Sequence, residues 1–160
     1  MDSKNRSNEL WEKIGQNKQL GENAFQLARR DLKTAKNIFF DGNYDWALAI
    51  AYNAMLQAGR ALMFFEGFRP KGEYKHVSVV EFVKLTSGSA FANRLLFMFN
   101  KIRKKRHIAV YEQVNIISED EAKNALAIAK EFVQVVEKII RGEVKASPRT
   151  GATSSSRAEP

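Results

Sequence analysis

One segment of the chain, residues 43–66, constrains the fold strongly because a helix drawn through it has almost no polar face. Its apolar positions are Trp46, Ala47, Ile50, Ala51, Ala54, Ala58, Ala61, Leu62 and Phe65. A helix that is apolar around most of its circumference lies at the centre of a bundle or in a subunit interface, where neighbours cover it on every side. Asn43 or Asp45 can cap its start, and the small residue Gly59 lets a neighbouring helix approach closely.

Amphipathic helices are predicted on both sides of this segment. Before it, apolar residues repeat at the three- and four-residue spacing of a helix, at Ala24, Leu27, Ala28, Leu32, Ala35 and Phe39. Gly42 is suited to end that helix because glycine readily adopts the left-handed conformation of a C-cap. After it, a short helix is predicted over about 78–85 and a fourth helix begins near Ala90. Ser118 and Glu121 form a capping-box pattern that begins the last helix.

These patterns predict an all-α fold, an up-and-down bundle of four main helices plus one short helix. No segment alternates polar and apolar residues for long enough to predict a strand. Residues 67–76, with two glycines and one proline, are predicted to form a loop. The helical domain is expected to span residues 22–141. Residues 1–21 are then an N-terminal extension, and residues 142–160, with little apolar content, are expected to be a disordered tail.

Composition narrows the functional classes. The 160 residues carry a formal net charge of +8, which favours anionic partners such as nucleic acid, a nucleotide or an acidic protein. The absence of cysteine excludes disulfides and thiolate metal sites, and two histidines without a carboxylate cluster argue against any metal site. Glycine-rich phosphate loops are absent too, so no cofactor is predicted. With no apolar run long enough for a membrane span and no signal peptide, the expected location is the cytoplasm.

The most basic part of the chain is the run over positions 101–106. Its five cations are Lys101, Arg103, Lys104, Lys105 and Arg106. Like charges this close repel one another, so the run is a candidate site for phosphate or nucleic acid, which would neutralise it. The other interpretation is a solvated helix face. On a helix, Arg103, Arg106, His107 and Tyr111 share one broad face, and His107 can accept or donate a proton near neutral pH.

Several short segments occur in a particular order between residues 22 and 141. They are Leu27-Ala28-Arg29-Arg30-Asp31-Leu32, Ala49-Ile50-Ala51-Tyr52-Asn53-Ala54, Gly59-Arg60-Ala61-Leu62, Gly67-Phe68-Arg69-Pro70, Lys75-His76, Arg106-His107 and Tyr111-Glu112. In this order they resemble the HEPN domain family. Its members are small all-helical domains, often paired with a nucleotidyltransferase in prokaryotes. The resemblance implies a homodimer, and many members are metal-independent RNases of toxin–antitoxin systems.

The resemblance also implies a set of site residues. Active members of the family carry an arginine followed, after a few residues, by a histidine. If Arg106 is that arginine, Tyr111 stands where the histidine is expected. If Arg103 is that arginine, His107 follows it at an interval one residue too short. Arg106, His107 and Tyr111 are therefore the candidate catalytic residues, and Tyr111 is also a candidate for nucleotide modification by the partner enzyme.

Two functions stay open. The absence of histidine at position 111 favours a binding protein, which holds RNA, a nucleotide or a nucleotidyltransferase partner in its basic cleft. The Arg106-His107 pair favours a metal-independent homodimeric RNase, the toxin of a toxin–antitoxin type of system. His76, with Lys75 before it, either caps the next helix or lines the same cleft.

Dimerisation is predicted from the apolar residues as well. The breadth of the apolar helix over 43–66 is one reason, and the other is a group of side chains that one core is not expected to hide entirely. They are Phe91, Phe97, Met98 and Phe99.

Overall fold

The structure, a computed structural model, describes residues 10–73 and 75–148, and helices dominate this part of the chain. The elements in chain order are β1 (Trp11–Lys13), α1 (Lys18–Phe40), α2 (Tyr44–Glu66), β2 (Phe68–Pro70), α3 (Lys75–Ser87), a 3₁₀ turn (Gly88–Ala90), α4 (Asn93–Tyr111) and α5 (Glu119–Ile140). The predicted all-α bundle of four long helices and one short helix is confirmed. None of the described helices is both long and apolar enough to cross a membrane.

Helix α2 lies at the centre of the bundle, as its apolar circumference predicts. Fourteen of its 23 residues are buried, and it packs against each of the other four helices. At Gly59 an added Cβ would lie 2.4 Å from Cγ1 of Val79, so α3 can pack here only because this residue is a glycine. The apolar surface that predicted a bundle centre or a subunit interface is therefore largely covered within one chain.

Three aromatic rings from α4, α5 and the segment between α3 and α4 form the middle of the core. Phe132 lies 4.8 Å from Phe91 and 4.8 Å from Phe99, measured between ring centroids. All three side chains are buried, whereas Phe97 is 67% exposed. Two of the phenylalanines that suggested a dimer surface, Phe91 and Phe99, are thus hidden inside this core, and Phe97 remains on the surface.

The prediction that the chain has no strands is wrong for two short segments. Strands β1 and β2 pair antiparallel, with Glu12 opposite Arg69 and an ion pair of 2.6 Å between their side chains. A three-residue strand is too short to show the alternation on which a prediction depends. Strand β2 lies inside the predicted loop over 67–76, and the last two residues of that loop, Lys75 and His76, form the first turn of α3.

The first and last helices of the bundle are α1 and α5, which end the described helical part of the chain on either side. Helix α1 begins at Lys18, four residues before the expected start of the domain. Residues 1–9 of the predicted extension and residues 149–160 of the predicted tail lie outside the described part of the chain. Within the described part of the tail, the backbone N–H of Ser147 donates to the hydroxyl of Ser89 over 2.9 Å, which joins it to the 3₁₀ turn.

The second half of the connection between α4 and α5 is held by two sets of hydrogen bonds. The predicted capping box is confirmed, since the Ser118 hydroxyl accepts from the Glu121 backbone N–H and the Glu121 carboxylate accepts from that of Ser118. Asp45, one of the two predicted caps of α2, instead forms hydrogen bonds to the connection between α4 and α5. Its carboxylate accepts the backbone N–H groups of Asn115 at 2.6 Å and Ile117 at 3.0 Å. The end of the connection is therefore tied to the start of α2.

Candidate phosphate-binding site

Arg106 lies between two tyrosine rings, one buried and one exposed. Its guanidinium carbon is 6.0 Å from the ring centroid of Tyr52 and 5.4 Å from that of Tyr111. Among the described residues it has no salt-bridge partner, and its buried Nε has no hydrogen-bond acceptor. Aromatic faces attract a cation but do not cancel its charge. The guanidinium therefore keeps a charge that an anion can neutralise.

Tyr52, on α2, connects Arg106 to the first turn of α3. Its side chain is fully buried, and its hydroxyl oxygen is 3.1 Å from Nδ1 of His76. Burial raises the pKa of Tyr52 well above its ordinary value, although the nearby Arg103 and Arg106 act in the opposite direction. The hydroxyl thus keeps its proton near neutral pH and can donate it to Nδ1. In the tautomer in which Nδ1 accepts this bond, the neutral imidazole carries its proton on Nε2, and His76 is then a hydrogen-bond donor at Nε2.

The ionisation of His76 reports a strongly positive environment. Its pKa lies below the ordinary value, first because burial disfavours the charged ring and then because of Arg106, Arg103 and Arg60. Within the described part of the chain, no carboxylate opposes the effect of these three arginines on the ring. His76 therefore stays neutral near pH 7 among cations. We refer to Tyr52, Arg60, His76, Arg103 and Arg106 as the Arg106 cluster.

The lowered pKa of His76 predicts a pH dependence of stability. The unfolded chain binds a proton at the ordinary pKa of 6.5, whereas the folded chain binds it only at lower pH. Acidification below about 6.5 therefore favours the unfolded state, and stability is lost as the pH falls through this window. We expect His76→Gln, which keeps an acceptor for Tyr52, to reduce the fall in Tm between about pH 7.5 and 5.5.

The second histidine provides the matched control for this measurement. His107 is exposed, and its Nε2 lies 3.7 Å from a carboxylate oxygen of Glu112. We expect His107→Gln to leave the pH dependence of Tm close to that of the wild type. An equal change in both variants would mean that the environment of His76 contributes nothing specific.

The three candidate catalytic residues meet at one exposed ring. The ring of Tyr111, 65% exposed, lies 5.2 Å from that of His107 and within cation–π distance of Arg106. Arg106 packs inward against Tyr52, whereas His107 is exposed beside Glu112. The arginine and the histidine thus share Tyr111 as a neighbour, but each has a different environment.

The five cations of the basic run lie in three different surroundings. Arg103 and Arg106 lie near His76, and Nε of Arg103 donates to the Asn100 side chain over 3.1 Å. Nζ of Lys105 is 2.8 Å from a carboxylate oxygen of Glu121, and this contact lowers the pKa of that carboxyl group. The remaining two, Lys101 and Lys104, line a groove between α3 and α4. The structure therefore places two of the five in the Arg106 cluster.

A cavity of about 650 Å³ adjoins the cluster. The predicted cleft residues Lys75 and His76 both line it, together with Arg60. Its walls also contain apolar side chains, among them Leu56 and Phe64. The combination of cations with an apolar wall suits a ligand that carries both phosphate and a base. Within the described residues, no group of three histidine, aspartate or glutamate side chains is placed to hold a metal ion.

Sequence reasoning did not single out Tyr52 and Arg60 as site residues. Both lie on α2, whose sequence pattern is apolar on nearly all sides. A signal does exist for Arg60, because Asn53, Gln57 and Arg60 follow one another at i, i+4 and i+7 and form a narrow, partly exposed polar stripe. Gln57 accepts a hydrogen bond of 3.3 Å from Arg60. Polar residues at helical spacing on an otherwise buried helix thus mark the side that faces the site.

Comparison with known proteins identifies the family. The HEPN domain model matches residues 22–139. The crystal structure of TT1696 from Thermus thermophilus is similar with a TM-score of 0.60 and 18% identity, covering 74% of this chain and 96% of that one. ST0689, an archaeal HEPN homologue, gives a TM-score of 0.56 and 19% identity, with 78% and 98% covered. No curated protein sequence matches. Since the family match spans most of its length, the chain belongs to the HEPN domain family.

Proposed function

We propose that the protein binds the phosphate groups of RNA or of a nucleotide at the Arg106 cluster. The observation that carries this proposal is the unneutralised guanidinium of Arg106, next to two further arginines and a neutral histidine. A guanidinium presents several N–H donors in a plane and matches phosphate oxygens well. Nε2 of His76 adds a donor without adding a charge. Such a set of donors attracts a phosphate and discriminates against a neutral ligand.

The same geometry favours binding over cleavage. Metal-independent cleavage of RNA needs a base that removes the proton of the 2′-hydroxyl group. In the tautomer in which the Tyr52 hydroxyl donates to Nδ1, His76 carries its proton on Nε2 and donates there rather than accepts. If Arg106 is the arginine of the family motif, Tyr111 stands where that motif has its histidine. The cluster therefore supplies the means to hold a phosphate and lacks a well-placed base.

The alternative function is a metal-independent homodimeric RNase of a toxin–antitoxin type of system. It is favoured by the contact of Tyr111 with both Arg106 and His107, which keeps an arginine and an ionisable histidine beside one exposed ring. HEPN domains often form dimers. A second subunit would bring a second copy of these residues into one cleft, so the RNase proposal requires a homodimer.

A nucleotidyltransferase partner belongs to the proposal as a second occupant of the same cleft. Domains of this family are often paired with such enzymes, and the exposed Tyr111 is accessible to one. If the partner covers the Arg106 cluster, adding it will release bound RNA. Retention of RNA in a ternary complex would place the partner elsewhere.

The experiment that tests the function combines binding and cleavage. A labelled single-stranded RNA pool is incubated with the purified protein in EDTA, alongside an Arg106→Ala/His107→Ala variant. We expect binding that weakens as salt rises, no cleavage, and much weaker binding by the variant. Competition by a mononucleotide would show that the site accepts a nucleotide as well as RNA.

Two results would change the conclusion. Cleavage that leaves 2′,3′-cyclic phosphate ends and is lost in the variant would establish the RNase instead. Equal binding of RNA by the wild type and the variant would contradict the assignment of the site to the Arg106 cluster.

A further inference from the structure

A second groove, of about 820 Å³, runs between α1 and α5 and shares no lining residue with the Arg106 cluster. Its floor is apolar. Leu32 and Phe39 come from α1, whereas Leu126 and Val133 come from α5. Phe40, 73% exposed, stands at one end. An apolar groove of this kind, with an exposed aromatic ring, is typical of a surface that a partner covers.

The rim of the groove is basic. Five exposed cations surround the apolar floor, namely Arg29, Lys33, Lys36, Lys123 and Lys130. None of the five has a salt-bridge partner among the residues that the structure describes. Two carboxylates, Glu119 and Glu137, also line the groove, so cations outnumber them. The charge of the rim is thus open to an acidic partner.

The shape of the groove suits a helix. Glu22, near the start of α1, forms an ion pair with Arg141, just after the end of α5, so the two helices run antiparallel beside the groove. The distance along α1 from Arg29 to Phe40 corresponds to roughly 17 Å at the rise of an α-helix, which is about three helical turns. A helix with one apolar face can lie in such a groove while its flanks meet the rim.

We propose that this groove between α1 and α5 docks an acidic amphipathic helix of a protein partner. The apolar face of that helix packs on the floor around Leu32 and Leu126. Its flanking glutamates or aspartates pair with the basic rim, with Lys33 on one side and Lys130 on the other. The site is separate from the Arg106 cluster, so a helix bound here leaves the phosphate-binding residues free.

Charge and composition disfavour the other occupants. The undescribed terminal segments, 1–9 and 149–160, contain almost no large apolar side chains and carry no net negative charge. A second copy that docked groove to groove would bring two basic rims together, and like charges in contact oppose association. RNA would neutralise the rim, but Leu32, Leu126 and Val133 are aliphatic, and the only aromatic residues among the described lining are the adjacent Phe39 and Phe40 at the end of α1, so bases could stack at that end alone.

The test uses two labelled synthetic peptides with the full-length protein. The first, of about 14 residues, carries leucines at i, i+3, i+4 and i+7 and glutamates between them, so it forms a helix with one apolar face. The second has the same composition with its leucines distributed around the helix. We expect fluorescence anisotropy to show binding of the first peptide at least about tenfold tighter than the second at physiological salt.

Variants of the protein test whether the first peptide binds in this groove. Lys33→Glu/Lys130→Glu should weaken binding of the first peptide by about tenfold or more, and so should Ala127→Glu, which adds a charge at an exposed lining position. Lys84→Glu/Lys104→Glu makes the same change of charge beside the groove between α3 and α4 and should have little effect. Circular dichroism confirms that each variant is folded.

Several outcomes would overturn the proposal. Equal affinity for the two peptides would show that charge alone attracts them. Equal loss of binding in the control variant would have the same meaning. If Lys33→Glu/Lys130→Glu abolishes a homodimer seen by analytical ultracentrifugation, the occupant is a second copy. If it abolishes RNA binding while Arg106→Ala does not, the groove is a nucleic-acid site and the proposed function of the Arg106 cluster fails as well.

Discussion

Phe132→Ala is expected to lower the free energy of unfolding by about 3–5 kcal/mol. The side chain is fully buried on α5, and its ring contacts those of Phe91 and Phe99, each at 4.8 Å between centroids. Truncation removes the transfer free energy of the ring, leaves a cavity, and loses both aromatic contacts. Domains of this kind are stable by about 5–15 kcal/mol in total, so this one substitution removes a large share.

Thermal and urea unfolding measure the effect. For a domain of this length each kcal/mol corresponds to roughly 2–4 °C in Tm, so a fall of about 10 °C is expected. Phe97→Ala is the matched control, because it makes the same change at a side chain that is 67% exposed. Its expected effect is below about 1 kcal/mol. Similar losses in the two variants would contradict the placement of Phe132 in the core.

The fold could be predicted from the sequence because its main determinants are local. The apolar circumference of α2 places that helix at the centre whatever its neighbours are, and burial of fourteen of its residues agrees. The capping box of Ser118 and Glu121 depends on residues three positions apart, and it begins α5 as predicted. Gly42 has the positive φ, 81°, that its place after α1 requires. Signals of this kind need no knowledge of the tertiary structure.

The errors in the fold prediction have one physical origin. Strands β1 and β2 are three residues each, and they form only because the chain brings distant segments side by side. Arg69 and Glu12 pair across that sheet, which no local pattern reveals. Two of the residues on which the predicted dimer surface was based, Phe91 and Phe99, contact Phe132 on α5 within their own chain. The dimer itself stays a prediction.

The composition of the candidate site could be predicted better than its arrangement. The basic run over 101–106 and His76 are both identifiable from sequence. However, five cations within six positions of a helix point in several directions, and each has different neighbouring side chains in the fold. Glu121, recruited from α5, pairs with Lys105. Tyr52, buried on α2, meets His76 and Arg106 at once, and those residues are brought together only by the packing of three helices.

Arg106→Ala is expected to weaken RNA binding by about 10- to 100-fold, the range that follows from losing a charged hydrogen bond worth about 1.5–3 kcal/mol. It should also lower the magnitude of the salt slope by about 0.7, the value for one phosphate contact on a single strand. The loss of stability should stay below about 2 kcal/mol, because Arg106 forms no salt bridge with a described residue and its buried Nε has no acceptor there, so only its contacts with the rings of Tyr52 and Tyr111 are removed. Fluorescence anisotropy over a series of salt concentrations measures both quantities.

Two further variants separate a specific contact from general attraction. Arg106→Lys keeps the charge but loses the planar fork, so it should retain most of the salt slope while losing affinity. Arg29→Ala removes the same side chain from an exposed position on α1, outside the cluster, and should lower affinity only slightly. If Arg29→Ala weakens binding as much as Arg106→Ala does, the RNA responds to net charge alone. In that event the unneutralised guanidinium beside Tyr52 is not the binding site, and the basic run is a solvated helix face.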